Sequence, residues 1–308
     1  MLKIKPILSN KVGYRLRLAN GQGWHIIATE GVQSWVEKLA SIMELEPGNG
    51  KGYPRLIFIQ NKKGKKTQQE PIVGLDPKIR EDFPKSGWEA RESHAIRIWS
   101  HHGTPDIFCE IGYGEGYARD IFEMLLAIYP IFERAQNWGA LPLHAALLER
   151  NGIGVLLVAS SDTGKTTCCS RLRSPWRPLC DDETLIVQNH QKRYLAHPFP
   201  TWSDYIFKRS NRTWNIEYHL PLSAIFFLEQ SETDEVLAIG QGEAAVHINH
   251  SARQVCCRRL YYLGLQETKS MRTKLFENAC EFAKVIPAFK LRVSLKGRFW
   301  EKIEAVLP

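Results

Sequence analysis

Two short stretches near the start of the chain, YRLRLA (14–19) and GWHIIATE (23–30), alternate apolar and polar residues, the period-two pattern of strands with one buried face. From Val32 to about Ile42 the period lengthens, and Trp35, Leu39 and Ile42 fall on one face of a helix. PRLIFIQ (54–60) returns to a strand pattern and ends at the turn signal Asn-Lys-Lys-Gly. AIRIWSHHGTPDIFCEIG (95–112) reads as a hairpin around His102-Gly103-Thr104-Pro105. In GYARDIFEMLLAIYPIFERAQ (116–136), Ile121, Leu125 and Ile128 form a helical stripe, and Pro130 kinks or ends that helix because it lacks an N–H. These elements predict a small α+β domain over residues 1–137.

From about Trp138 the texture changes. LPLHAALLER (141–150) is strand-like, Asn151-Gly152 is a tight turn, and IGVLLVA (153–159) is continuously apolar, as a strand buried on both faces must be. KTTCCSRLR (165–173) predicts a short helix stopped by Ser174-Pro175. PLCDDETLIV (178–187), RYLAHPF (193–199) and PLSAIFFLEQ (221–230) supply further strands, and the part from about Glu243 reads as mainly helical. The expected fold class is α/β with a mixed sheet over 138–308, preceded by the smaller α+β domain.

A hydrophobic fraction of 44% and a charged fraction of 24% are ordinary for a globular chain of 308 residues. No apolar run approaches the roughly 18 residues of a membrane span, and the first residues lack a secretory apolar stretch, so a cytoplasmic protein without a membrane partner is expected. The net charge of +8 favours an anionic partner. The densest basic run, NKKGKKTQQE (61–70), has no interleaved aromatics, reads as a solvated turn and gives no reason to expect nucleic acid. The seven cysteines form no C-x-x-C pair and read as reduced thiols, several of them buried. His101 and His102 read as turn or packing residues.

Candidate chemistry enters at LLVASSDTGKTTCC (156–169). Gly164, Lys165 and Thr166 give the G-K-T end of a phosphate-binding loop, in the strand–loop–helix context that such a loop needs. The candidate nucleotide-binding residues are Ser160, Ser161, Asp162, Thr163, Gly164, Lys165, Thr166 and Thr167. Ala159 stands where a glycine is usual, which costs ~1–2 kcal/mol if its φ must be left-handed. Asp162 puts a carboxylate inside the loop, so weakened ATP binding is expected. Sixteen residues past Lys165, Asp181 and Asp182 follow an apolar stretch, where one carboxylate can hold Mg2+ and the other can act as a base. Thr166, Asp181 and Asp182 are thus the metal candidates. His144 lies on the strand before the loop's own strand and joins Asp182 and Lys165 as a catalytic candidate.

LHAALLERNGIGVLLVASSDTGKTT…RPLCDDETLIV resembles the core of the HPr kinase/phosphorylase family over roughly 45 residues, in order and spacing. That resemblance implies the P-loop fold shared with phosphoenolpyruvate carboxykinase. WGALPLHAALLERNG, CCSRLRSPWRPLCDDETLIV and AHPFPTWSDYIF are similar to the SynChlorMet cassette protein ScmC family, related to the HPr kinases. This implies association with radical SAM enzymes of modified-peptide cassettes, with a peptide or small protein as phosphoryl acceptor. By position Lys165 would contact phosphates, Thr166 would ligate Mg2+, Asp181 would hold the metal through water, and Asp182 with His144 would orient or deprotonate a hydroxyl. HPFPTWSDYIFKRSNR occupies the place of a further family motif and offers His197, Trp202, Asp204 and Arg209 for acceptor binding, although Trp202 and Phe199 read better as core. The HPr kinases are oligomers, which makes homo-oligomerisation a property to measure. The expected function is an ATP-dependent Ser/Thr kinase; the alternative is a nucleotide-gated peptide-binding module with little turnover.

Overall fold

The computed structural model describes residues 13–60, 70–74, 80–92, 96–112, 116–160, 163–260 and 264–307. Residues 61–69 of the basic run 61–70, together with Ser161 and Asp162, lie outside them. The chain divides into two compact units: Met1–Arg17, Gln22–Pro130 and Trp202–Thr213 form one, and Leu18–Gly21, Ile131–Thr201 and Trp214–Pro308 form the other.

The first unit is built on a mixed sheet of order β1-β2-β3-β6-β5-β4. Its strands are β1 (Tyr14–Arg17), β2 (Gly23–Ala28), β3 (Arg55–Gln60), β4 (Glu89–Glu92), β5 (Ile96–His101) and β6 (Thr104–Ile111). Helix α1 (Gln33–Ile42) connects the parallel pair β2 and β3, burying Trp35, Leu39 and Ile42 as its period requires. Trp35 meets Phe58 of β3 at 5.0 Å between ring centroids. Ile57, Phe83, Trp88, Trp99 and Phe108 fill a second cluster. The β5–β6 hairpin turns at His102-Gly103, and His101 Nδ1 accepts the Gly103 N–H at 2.9 Å, a turn role for this ring. Pro130 breaks the helical stripe rather than kinking it: α2 (Tyr117–Ala127) ends at Ile128, and α3 starts anew at Tyr129, with Pro130 in its first turn, where no N–H is needed. The sequence pattern did not announce β4, because Glu-Ala-Arg-Glu at a sheet edge carries little apolar signal.

In the second unit, α3 (Tyr129–Gln136) leads into the hairpin β7 (Leu141–Arg150) and β8 (Ile153–Val158). Asn151 and Gly152 take φ of 53° and 80°, the left-handed pair that a two-residue hairpin turn demands. There follow α4 (Lys165–Arg171), β9 (Arg177–Cys180), β10 (Glu183–Gln188), β11 (Tyr194–Pro198), the short α5 (Trp202–Ile206, grouped with the first unit), β12 (Leu220–Gln230) and β13 (Glu235–Ala238). The chain ends with α6 (Gln241–Leu260), α7 (Leu265–Val285), β14 (Ala288–Val293) and α8 (Phe299–Glu304).

The sheet order is β11-β10-β7-β8-β12-β14-β13, with β9 paired to β7. β8, β12 and β14 run parallel, while the remaining pairings are antiparallel. β11 also pairs with β12 through Leu195↔Pro221 and Ala196↔Leu220, so the path from β11 through β10, β7, β8 and β12 returns on itself. Both chain classes expected from the pattern, mixed α/β in the larger unit and α+β in the smaller, are therefore observed. The part after Glu243 is not helical throughout. β14 lies there with Ala288, Leu291 and Val293 buried, and the charged Lys290 and Arg292 mask it in the sequence.

Val155, Leu157, Ala224, Phe226, Leu291 and Phe299 form the centre of one core cluster, each such burial being worth about 1.5–3 kcal/mol for the larger side chains. Cys168, Cys180 and Cys256 are buried and form no disulfide, and burial pushes Cys168 and Cys180 up to about 11, so these two stay protonated at neutral pH. Among the described residues no helix is long and apolar enough to cross a membrane.

Candidate nucleotide and catalytic site

The β7–β8 register explains why the candidate residues converge. Ala145 pairs with Val158, so one step further His144 on β7 faces Ala159 at the start of the loop. On its other side β7 pairs with β10, where His144 is opposite Glu183 and therefore beside Asp182. Asp181 and Asp182 occupy the break between β9 and β10. The fold thereby gathers residues that lie 37 positions apart, from 144 to 181, around one loop.

Lys165 opens α4 and is only 6% exposed. Its Nζ donates to the Ala159 carbonyl at 2.8 Å and lies 2.8 Å from His144 Nε2. An ammonium can only donate, so His144 Nε2 must accept and the ring proton resides on Nδ1. Nδ1 stands 3.0 Å from Asp182 Oδ1 and donates to it. The result is a chain of ammonium, imidazole and carboxylate, Lys165, His144 and Asp182, of which the first two are buried and the third is partly exposed. Ser251 of α6 supports it from behind, its hydroxyl donating to the His144 carbonyl at 3.2 Å.

A second pair runs alongside. Thr166 Oγ1 donates to Asp181 Oδ2 at 3.0 Å, and Thr201 Oγ1 donates to Asp181 Oδ1 at 2.6 Å. A hydroxyl and a carboxylate offer oxygen atoms only, the donor type that hard divalent cations take. Among the described residues there is no group of three or more His, Cys, Asp or Glu that would form an all-protein metal cage.

One departure that the sequence of this segment suggests, strain at Ala159, does not arise. Among the described residues the non-glycine positions with positive φ are Glu44, Asn151, Lys192 and Lys208. Ala159 is not one of them, so the left-handed penalty does not arise, and its methyl joins the core cluster. Gly164 does need its identity, at a φ of 105°, and nothing lies within 4 Å of where a Cβ would project. Thr163 N–H donates to the Ser160 carbonyl at 3.3 Å, and Thr166 and Thr167 are exposed. The expectations placed on Ser161 and Asp162 fall outside the described residues.

A family model described as SynChlorMet cassette protein ScmC matches residues 107–308. The chain belongs to the ScmC family. The matched span includes the whole of this ScmC-family site, from His144 to Ser251. Among curated proteins none matches the chain.

The other acceptor candidates fare differently. His197 is fully buried, its Nδ1 donates to the Ile216 carbonyl at 2.8 Å, and its Nε2 accepts the Ala19 N–H at 3.1 Å. Burial, reinforced by the nearby His219 ring, pushes it down to about 3, so it is a neutral strut. Trp202 and Phe199 are buried, as core residues are. Asp204 and Arg209 group with the first unit. Sequence reasoning missed Thr201, Ser251 and the Ala159 carbonyl, and only the Pro-Phe-Pro-Thr segment next to β11 marked the first of these.

Proposed function

We propose that this ScmC-family chain is an ATP-dependent phosphotransferase of HPr-kinase type, acting on a Ser or Thr hydroxyl of a peptide or small protein. The observation that carries the reading is the Lys165–His144–Asp182 chain lying beside the Thr166–Asp181 pair. When bound, magnesium and nucleotide supply an electrophilic phosphoryl group. Lys165, together with the loop from Ser160 to Thr167, is the phosphate-holding element, and Thr166 and Asp181 are the residues that would hold the metal. To reach a phosphate, Lys165 leaves His144 Nε2 and the Ala159 carbonyl. His144 still donates from Nδ1 and keeps Asp182 oriented, and Asp182 takes the proton of the acceptor hydroxyl. Catalysis on this reading is positioning and charge stabilisation. Cassette membership supports a peptide acceptor and radical SAM enzymes as partners in the same cassette.

One observation favours a second reading, a nucleotide-gated peptide-binding module. The Lys165 ammonium is 6% exposed and already satisfied by two acceptors, a state that phosphate must compete against. Calorimetric titration of Mg·ATP into the wild-type chain, Lys165→Ala and Asp182→Asn separates the readings. The kinase reading expects binding that vanishes in Lys165→Ala, and binding without turnover in Asp182→Asn. Absence of binding to wild type at millimolar nucleotide would remove the kinase reading.

A further inference from the structure

At the C-terminal end of α4, away from Lys165, the second unit contains a cleft of about 770 Å3. Its lining carries four cations from two separate elements, Arg171 and Arg173 at the end of α4 and Lys296 and Arg298 in the loop between β14 and α8. Among the described residues no carboxylate lines it. We propose that this cleft binds an acidic peptide segment in extended conformation.

The walls are already built. Arg171 donates to the carbonyls of Ser294 (2.7 Å) and Gly297, which ties the loop to the helix end. Ser294 N–H donates to Asp234 Oδ1 at 2.6 Å, and Gly297 N–H donates to Ser294 Oγ at 2.9 Å. A Cβ at position 297 would run into the Asp234 carboxylate and Ser294 Oγ, so glycine is required for the loop to close this tightly. Binding therefore does not have to order the loop, which removes one cost of association.

The charge balance leaves the cleft positive. Asp234 stands behind the loop and is engaged by Ser294, and Glu301 pairs with Arg298 at 3.1 Å. Both members of that pair are exposed, and such pairs are weak in water. Arg173 and Lys296 are exposed, and among the described residues neither has an ion pair. Leu172 and Trp300, partly buried against the core cluster, add an apolar surface between the cations.

The arrangement fits a peptide better than the other anions. A volume of this size exceeds what one phosphate fills, and the cations are spread along two walls instead of converging on a point. An extended peptide turns every second side chain, about 7 Å apart, to one face, so a row of acidic side chains can face the cations of the cleft. Single-stranded nucleic acid needs successive stacking surfaces. Here Trp300, the one lining aromatic among the described residues, is engaged edge-on with Phe299 at 5.3 Å. The proposal concerns binding alone and does not rest on phosphoryl transfer.

The test is fluorescence anisotropy with a labelled eight-residue peptide of alternating Glu and Leu, titrated with the full chain at about 50 mM salt, where exposed charges act across roughly 14 Å. Arg173→Glu with Lys296→Glu is expected to weaken binding by about tenfold or more, a change of about 1.4 kcal/mol. The neutral pair Arg173→Gln with Lys296→Gln is expected to show a smaller loss in the same direction. The control reversal Lys269→Glu with Arg272→Glu, on the exposed face of α7, changes net charge equally and is expected to leave affinity within about twofold. Thermal unfolding of each variant verifies that it is folded; if the charge reversal does not fold, the neutral pair decides. The proposal is overturned if wild type does not bind the peptide, if the control weakens binding as much as the cleft variant, if inorganic phosphate displaces the peptide, or if a single-stranded oligonucleotide of eight bases binds more tightly.

Discussion

Protonating His197 should unlock the second unit at mildly acidic pH. The ring is fully buried, and its two nitrogens are already committed, Nδ1–H to the Ile216 carbonyl and Nε2 to the Ala19 N–H. A second ring proton would face the Ala19 N–H donor at Nε2, and the His219 ring at 5.2 Å adds repulsion. Burial is the larger cause, and together these push His197 from its ordinary 6.5 down to about 3. The sign follows from linkage: the unfolded chain binds the proton first, so this contribution is complete above pH 6.5 and is lost progressively as pH falls toward 3. Each pH unit in that window costs about 1.4 kcal/mol, so a drop from 6.5 to 5 removes about 2 kcal/mol. Urea denaturation followed by far-ultraviolet circular dichroism at pH 7.5 and pH 5 measures the loss. His197→Asn keeps a polar partner for the backbone but cannot titrate, so its stability difference between the two pH values should be smaller than that of wild type by about 2 kcal/mol. Equal pH dependence in the two proteins would refute the assignment of His197 as a neutral strut.

Three further substitutions probe the candidate site. His144→Leu preserves volume but offers Lys165 no acceptor and Asp182 no donor; it should destabilise the free chain by ~2–4 kcal/mol and raise nucleotide affinity about tenfold while abolishing turnover. A fall in affinity on calorimetry would show that Lys165 is not held back by this bond. Thr201→Val removes the 2.6 Å bond to Asp181 and should lower unfolding free energy by ~1.5–3 kcal/mol, read from urea titrations, and weaken the magnesium dependence of nucleotide binding. Gly164→Ala meets open space yet must hold a φ of 105°, so a loss of ~1–2 kcal/mol is expected from strain alone, visible as a lower Tm.

Much of the architecture is legible where one physical signal dominates. The runs LPLHAALLER and IGVLLVA announce β7 and β8 because both faces of those strands are covered, and Asn151-Gly152 fixes their hairpin. Gly164, Lys165 and Thr166 are visible as a motif, and Asp181 and Asp182 as a spacing. Their mutual contacts are not, since the register that brings His144 between Lys165 and Asp182 is decided by pairing across β7, β8 and β10. Thr201 is invisible for the same reason: nothing local ties it to Asp181, and only the fold brings their oxygens to 2.6 Å. β14 escapes notice because Lys290 and Arg292 interrupt its apolar positions, and β13 because it is four residues long and none of them is buried. His197 illustrates the opposite error, a polar residue in a distinctive segment that the interior uses to pin backbone groups.

The placement of β14 has a consequence for the order in which this protein can be made. A ribosome delivers the chain from its start, and domains tend to fold as their residues emerge. By the time Gln230 has been added, β7, β8, α4, β10, β11 and β12 are all present, and the residues of the candidate site from His144 to Thr201 can already meet. The flank of β12 that carries Ile225, Phe226, Phe227 and Leu228 then awaits a strand that is still unsynthesised, and β13 pairs with that same strand. Two long helices, α6 and α7, must be translated before Ala288–Val293 arrives to fill the gap. During that interval the nascent chain carries an open, apolar sheet edge, the kind of surface that chaperones cover and that neighbouring nascent chains can invade.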